Sequence, residues 1–272
     1  GGAGLYAAFP VVYSTLLPAT YLPIVAMLSG LIFRGVAFEI RAKARRTRHL
    51  WDLAFIAGSA MATFCQGVIL GTVLQGVAIR DGRFAGSAFD WFSPFSLFCG
   101  LGLLLTYATL GCGWLIIKTE GELQRKMFGL MKPLVLVLLA AIGAISLWTV
   151  AGQPAVAQRW FGGGRFAFFA PVPILVLASV AGILRAVKRG QERRPFALTL
   201  FIMFLGYSGL LISIYPYILP PSLDIWQASS PHSSQLFTLV GALIIIPVII
   251  GYSTLSYRVF RGKVRHGDEG YH

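Results

Sequence analysis

Histidine and charge are both scarce in this sequence of 272 residues, of which 12% are charged and 56% are hydrophobic. Such a composition excludes an ordinary water-soluble domain, in which about a quarter of the residues are charged. The four histidines lie in predicted loops, at a helix end or in the tail: His49, His232, His266 and His272. Because a haem in a helical bundle is ligated from inside the bundle, we expect this chain alone to bind no haem.

Paired cysteines and metal-ligand spacings are also missing. Cys65, Cys99 and Cys112 fall in apolar segments without a CxxC pair, which favours reduced structural thiols. No set of histidine, cysteine and carboxylate residues has the spacing of a zinc or copper site. The net charge is +13, but the basic residues form short clusters between apolar runs rather than one patch mixed with exposed aromatics. We therefore expect no nucleic-acid partner.

What the sequence does contain is a series of apolar runs of about 20 residues, the length that a helix needs to cross a hydrocarbon core roughly 30 Å thick. We predict an all-α, polytopic transmembrane helical bundle that forms a single integral-membrane domain over residues 1–272. A partial span at 1–16 precedes seven full spans, at about 18–41, 50–79, 92–118, 127–150, 166–188, 195–218 and 234–259. Five prolines should fall near helix boundaries: Pro18, Pro94, Pro171, Pro195 and Pro220.

The first apolar run begins at Gly1 and has no basic segment before it. This pattern is typical of the second half of a membrane helix rather than of a signal peptide. We expect that an N-terminal helix or helices of the intact protein are missing from this sequence.

Positive charge alternates between the predicted loops. One set of segments is rich in lysine and arginine: 41–48, 118–132, 185–194 and 258–265. The alternate set is poor in positive charge, and the segment 219–233 has none. Under the positive-inside rule the first set faces the cytoplasm, so we expect seven full crossings and a cytoplasmic C-terminus.

The predicted helix at 50–79 carries one polar stripe. At 100° per residue, four polar side chains fall within about 60° of one another: Asp52, Ser59, Thr63 and Gln66. Such a stripe should face protein rather than lipid. It either forms hydrogen bonds between helices, helped by the small residues from Gly67 to Gly71, or lines a hydrated proton path with Asp52 at its cytoplasmic mouth. The pattern favours the first interpretation.

Three further charged residues are candidates. Arg34 lies within an apolar run and either snorkels to the interface or pairs inside the protein, while Glu39, at i+5, is poorly placed to be its partner. Asp90 either caps the next helix or accepts a proton. The complete candidate set for a proton path or a subunit contact is Arg34, Glu39, Asp52, Ser59, Thr63, Gln66 and Asp90.

Several long segments carry a family resemblance. They begin with GGAGLYAAFPVVY and LPATYLPIVAMLSGLIFRGVAFEIR, continue with LWDLAFIAGS, QGVILGTVLQGV and FDWFSPFSLFCGLGLLLTYATLGCGWLIIKTEGELQ, and end with YPYILPPSLDIWQASSPHSSQLFTLVGALIIIPVIIGYSTLSYRVFRGKV. In this order they resemble subunit II of the cytochrome bd family of ubiquinol oxidases, including its cyanide-insensitive branch. The family's FRxxxFE/D-x-R stretch corresponds to Arg34, Phe38, Glu39 and Arg41, and its WD pair to Trp51 and Asp52.

The resemblance implies a partner, a larger subunit I that carries haem b and haem d and oxidises quinol, whereas this chain would carry none of these cofactors. The complex would reduce dioxygen to water in the bacterial inner membrane and generate a proton-motive force without pumping. This chain would stabilise the haem region, contact membrane lipid and line routes for protons or dioxygen. In some members it would also hold a structural quinone or bind a small accessory subunit.

The family pattern also implies nine spans in the intact protein. Its first helix and a WDGN-type stretch before GGA, which carries an acidic residue implicated in proton delivery, are absent from this sequence. Two other functions fit the hydrophobic profile. A secondary transporter would show broken helices and midplane charges at corresponding places of two repeats, and we find no convincing pair of such segments. A structural assembly factor would not copurify stoichiometrically with haem d.

Overall fold

The computed structural model describes residues 2–44, 46–80, 83–162, 169–259 and 262–263. Its long helices are α2 (Pro10–Lys43), α3 (Arg48–Gln75), α4 (Pro94–Lys118), α5 (Gly121–Gly152), α7 (Pro171–Lys188), α8 (Arg193–Ile214) and α10 (His232–Val259). Three short helices are α1 (Gly2–Ala8), α6 (Pro154–Phe161) and α9 (Ile225–Ala228). Two antiparallel hairpins are formed by β1 (Ile79–Arg80) with β2 (Arg83–Phe84) and by β3 (Tyr217–Leu219) with β4 (Leu223–Asp224).

In the described part of the chain, seven helices are long and apolar enough to cross a membrane. They are the seven long helices, so the predicted all-α, polytopic bundle is confirmed. Consecutive helices α2 to α5 pack side by side, α7 packs on α8, and α4 also contacts α8. The largest buried cluster lies where α4, α5, α7 and α8 meet, and it consists of Cys112, Ile116, Met131, Val135, Val180, Ile183 and Ile202.

Glycines let the helices of the first half approach backbone to backbone. A Cβ atom on Gly30 of α2 would lie 2.7 Å from the carbonyl oxygen of Gly58 on α3, and one on Gly67 would lie 2.7 Å from that of Cys99 on α4. Small residues at such crossings are the usual means of packing helices in lipid, where no hydrophobic force draws them together. Gly67, the first residue of the predicted small-residue run, therefore lets the backbones of α3 and α4 approach closely.

The first helix boundary was predicted wrongly. The break lies at Phe9, which is non-helical because the residue before a proline is disfavoured in the α region. Pro18 and Pro23 lie inside α2, which is bent at Thr20 (φ −124°, ψ 15°) rather than ended. A proline removes one helical hydrogen bond and crowds the preceding turn, which accounts for the bend. The partial span at 1–16 and the span at 18–41 thus share one long helix.

Other boundaries differ where the backbone turns. Helix α3 ends at Gln75 and not near 79, because Gly76 has a φ of 91° that other residues rarely adopt. Helix α8 ends at Ile214, since the segment predicted to continue it to 218 enters the β3–β4 hairpin. Helix α5 begins six residues before the predicted 127, and α7 begins at Pro171, with 166–168 outside the described residues.

Candidate functional site

The two ends of the bundle gather different loops. At one end, Lys263 Nζ lies 2.8 Å from Glu192 Oε1 and 3.9 Å from Glu120 Oε1, while Lys118 Nζ donates to the Gly262 carbonyl at 3.1 Å. The segment after α10, the α4–α5 connection and the α7–α8 connection therefore meet. These three segments belong to the predicted basic set.

At the opposite end, the segments poor in positive charge meet. The amide of Ser230 donates to the Ala8 carbonyl at 2.9 Å, and the amide group of Gln153 donates to the carbonyl of Leu74. Arg159 of α6 donates to the carbonyls of Ile212 and Ser213 at 3.3 and 3.4 Å. The negative end of the α8 dipole also stabilises a cation at that position.

Two of the candidate residues, Glu39 on α2 and Asp52 on α3, lie near the first of these two ends. The guanidinium Nε of Arg41 donates to Asp52 Oδ1, so Asp52 is paired across the short α2–α3 connection. Both side chains are more than two-fifths exposed. Glu39, two residues before Arg41 on α2, is exposed, and within the described ranges it forms no ion pair.

Arg34 lies about 10 Å along α2 from Arg41. Its guanidinium carbon is 5.9 Å from the centroid of the Phe55 ring on α3, a cation–π contact. Among the described residues it has no carboxylate within ion-pair distance. The residue is exposed in this chain.

The polar stripe of α3 lies at the surface of this chain. Ser59 and Thr63 are half-buried, and Gln66 is exposed, with its Oε1 accepting a 3.5 Å hydrogen bond from the Tyr107 hydroxyl of α4. Ile56 and Leu70, on the same face, are 62% and 38% exposed. Within the described ranges, the stripe bonds to other helices through Asp52, which accepts from Arg41 on α2, and through Gln66, which accepts from Tyr107 on α4. Any further burial of the stripe requires another molecule.

Asp90 does not cap α4, although capping was one of the two roles predicted for it. It lies in the turn before the helix, where its amide donates to the Ser87 carbonyl at 3.1 Å. The cap is Ser93, whose hydroxyl oxygen accepts from the Ser96 amide at 3.1 Å and whose hydroxyl donates to Gln75 Oε1 at 2.6 Å. Serine directly before a proline at the first helical position is a strong signal for a helix N-terminus. The Ser93-Pro94 pair therefore indicated Ser93, rather than Asp90, as the cap.

A polar cluster that the sequence did not indicate surrounds Glu192. Its Oε1 accepts hydrogen bonds from Lys263 Nζ and Gln124 Nε2, each at 2.8 Å. These two donors stabilise the charged carboxylate and hold the pKa of Glu192 below its usual value, against a smaller opposing effect of burial. The side chain remains 39% exposed, so the stabilisation is modest. The cluster fastens the segment after α10 to the bundle.

No catalytic or metal-ligating constellation is found in the described ranges, where no three residues among His, Cys, Asp and Glu lie together as metal ligands would. That this chain alone binds no haem stays a prediction. What the arrangement offers is local charge pairing at one end and polar groups on an outward face of α3.

Comparison with known proteins gives the family. The model of the family described as cytochrome bd terminal oxidase subunit II matches residues 1–260. The chain is 29% identical over 279 residues to cytochrome bd ubiquinol oxidase subunit 2 of Bacillus subtilis, and 24% identical over 303 residues to cytochrome bd-I ubiquinol oxidase subunit 2 of Escherichia coli K12. Each alignment covers 98% of this chain and 80% of the relative.

The fold is also similar to a solved structure. The structure of bd oxidase from Geobacillus thermodenitrificans superposes with a TM-score of 0.63 at 12% identity, over 94% of this chain and 81% of that one. This likeness shows a shared helical fold. By the family match along nearly its whole length, this chain belongs to the cytochrome bd terminal oxidase subunit II family.

Proposed function

We propose that this chain is the haem-free subunit of a quinol:dioxygen oxidoreductase in the bacterial inner membrane. Its partner is a larger subunit I that carries haem b and haem d, and the complex oxidises quinol and reduces dioxygen to water. The membership of the chain in the subunit II family supports this proposal. No catalytic step is assigned to the residues of this chain.

The observation that carries the proposal is the surface of α10. Not one of its 28 residues is buried, and its apolar side chains are open on every side, with Phe237 82% and Tyr252 74% exposed. A helix packed only against its own chain would bury an apolar stripe. Lipid covers part of such a surface, and a second integral-membrane subunit covers the rest.

The outward face of α3 is the second surface for the partner. Ser59, Thr63 and Gln66 would be costly in contact with lipid chains, because polar groups in hydrocarbon lose their hydrogen bonds to water. Burial against another subunit removes that cost if the partner supplies hydrogen bonds. We therefore favour a subunit contact over a proton path for this stripe, and we assign to the Arg41–Asp52 pair the local role of joining α2 to α3.

The chain lies with its C-terminus in the cytoplasm. The basic segments that meet around Lys263 form one end of the bundle, as the positive-inside rule requires of a cytoplasmic face. Neither the family match nor the fold supports the alternative of a secondary transporter.

The experiment is to affinity-purify this protein from its native membrane in mild detergent, identify its partners by mass spectrometry and record the reduced-minus-oxidised spectrum. We expect one larger partner in equal amount together with the absorption bands of haem b and haem d. A solitary chain without haem absorption would contradict the proposal and would favour the alternative function of a secondary transporter.

A further inference from the structure

A groove rich in arginine lies between α7 and α8 at the end of the bundle that carries Lys263. It has a volume of about 360 Å³, and its lining includes Gly182, Arg185, Arg189, Gln191, Arg194 and Leu198. Among the described residues, none of the three arginines has a carboxylate within ion-pair distance. The nearest acidic residue in sequence, Glu192, is already bound to Lys263 and Gln124.

The turn that builds the groove is fixed by the backbone. Gly190 has a φ of 63°, its amide donates to the Val187 carbonyl at 3.1 Å, and the Gln191 amide donates to the Ala186 carbonyl at 3.0 Å. These bonds form a Schellman motif, which ends α7 and reverses the chain direction. The reversal brings Arg194, in the first turn of α8, to the groove that Arg185 and Arg189 line from α7.

The floor of the groove is apolar and closely packed. Leu198 of α8 lies against Gly182, where an added Cβ would be 2.9 Å from the leucine Cδ1. The side-chain amide oxygen of Gln191 is buried and, in the described part of the chain, has no hydrogen-bond partner. The groove thus combines three exposed cations with an unsatisfied polar atom and an apolar base.

Below the arginines, both helices present apolar side chains to the outside. Ile174 and Leu177 on α7 are 60% and 56% exposed, and Phe204 on α8 is 62% exposed. Ile174 and Leu177 share a face with Arg185 at helical spacing, and Ile174 is about 16 Å from Arg185 along the axis. This length is close to half of a hydrocarbon core roughly 30 Å thick, which is the depth of one leaflet.

We propose that this groove binds an anionic phospholipid of the adjacent leaflet, with its phosphate held by Arg185, Arg189 and Arg194 and its acyl chains lying along the apolar faces of α7 and α8. Arginine suits this task because its planar guanidinium binds phosphate oxygens in pairs. Basic pockets between membrane helices are known to take such headgroups. A free anion would use the cations but leave the apolar faces without a partner. The proposal does not depend on the oxidase function.

The test is native mass spectrometry of the full-length protein, purified with its natural partners, titrated with dioleoylphosphatidylglycerol and with the zwitterionic dioleoylphosphatidylcholine. We expect tight binding of the anionic lipid alone. Arg185→Gln should weaken it about fivefold, and the triple variant R185Q/R189Q/R194Q about a hundredfold, in line with the contribution of a single basic residue near an anionic membrane surface. The matched control is K43Q/R46Q/R48Q, which removes three exposed basic residues outside the groove and should leave binding unchanged.

Three results would overturn the proposal. They are equal lipid binding by the wild type and the triple variant, an equal loss in the control, and displacement of the lipid by excess inorganic phosphate, which would make the groove a site for free anions. If the triple variant does not fold, the single variant Arg185→Gln tests the proposal. An unchanged affinity of that variant for the anionic lipid would contradict the assignment of the phosphate to these arginines.

Discussion

Arg41 and Asp52 form an ion pair between the end of α2 and the start of α3. The pair is well exposed, and exposed pairs contribute from about 0 to 1 kcal/mol to stability. The ten residues between the partners include the short connection at 44–47, and two opposite charges that flank this connection were the signal for the contact. Sequence analysis named Asp52 as a candidate and Arg41 as part of the family motif, but it did not indicate that the two bind each other.

Asp52→Asn should therefore leave assembly intact and lower oxygen consumption only slightly. The asparagine keeps the shape of the side chain and can still accept a hydrogen bond from Arg41, so only the charge is lost. The measurement is oxygen uptake per haem by the purified complex, with Arg41→Gln as the matched variant on the other side of the pair. A large loss of uptake at full haem content would show that Asp52 acts in proton delivery.

The carboxylate of Glu192 should give the stability of the complex a small dependence on acid pH. Lys263 and Gln124 lower the folded-state pKa of this group, so its contribution is complete above the unfolded-state pKa and is lost as the pH falls through the lower folded-state value. Thermal midpoints measured from neutral to acid pH should fall more steeply for the wild type than for Glu192→Gln. Parallel curves would show that the hydrogen bonds do not couple to stability.

Among the elements, the helices were predictable and their ends were less so. Apolar length alone located all seven spans, because a chain in lipid must satisfy its backbone hydrogen bonds within helices. The errors occurred at Phe9, Gly76 and Tyr215, where a residue before proline, a positive φ or a hairpin decides the boundary. The cluster around Glu192 joins residues 68 and 71 positions apart, and no local pattern in one sequence records such a contact.

The contact between α3 and α4 should tolerate no added side chain at its closest point. In Gly67→Ala the new Cβ would lie 2.7 Å from a backbone carbonyl on α4, and separating the helices to relieve this overlap should cost about 1–3 kcal/mol. The control is Gly143→Ala on α5, where nothing lies within 4 Å of the added atom and the change should be neutral or slightly stabilising. Thermal midpoints of the two variants in one detergent test the difference, and equal values would contradict this packing.

The molecule as a whole has two chemically different ends, and the basic end should face the cytoplasm. A cysteine introduced at Arg46 should react with a membrane-impermeant maleimide only after permeabilisation, whereas one at Ser87 should react in cells whose inner membrane is intact. The native Cys65, Cys99 and Cys112 are buried, and labelling of the chain without an added cysteine measures the background. Reversed labelling of the two positions would contradict the proposed orientation.

The exposed surfaces of α10 and α3 support the proposal that another subunit completes this chain, and in that proposal the haem belongs to the partner. Haem content per polypeptide tests this division most directly, measured on this chain produced alone and on the complex purified from its native membrane. We predict no haem in the chain alone and the full haem content in the complex with its larger partner. Haem retained in equal proportion by the chain alone would contradict a haem-free subunit.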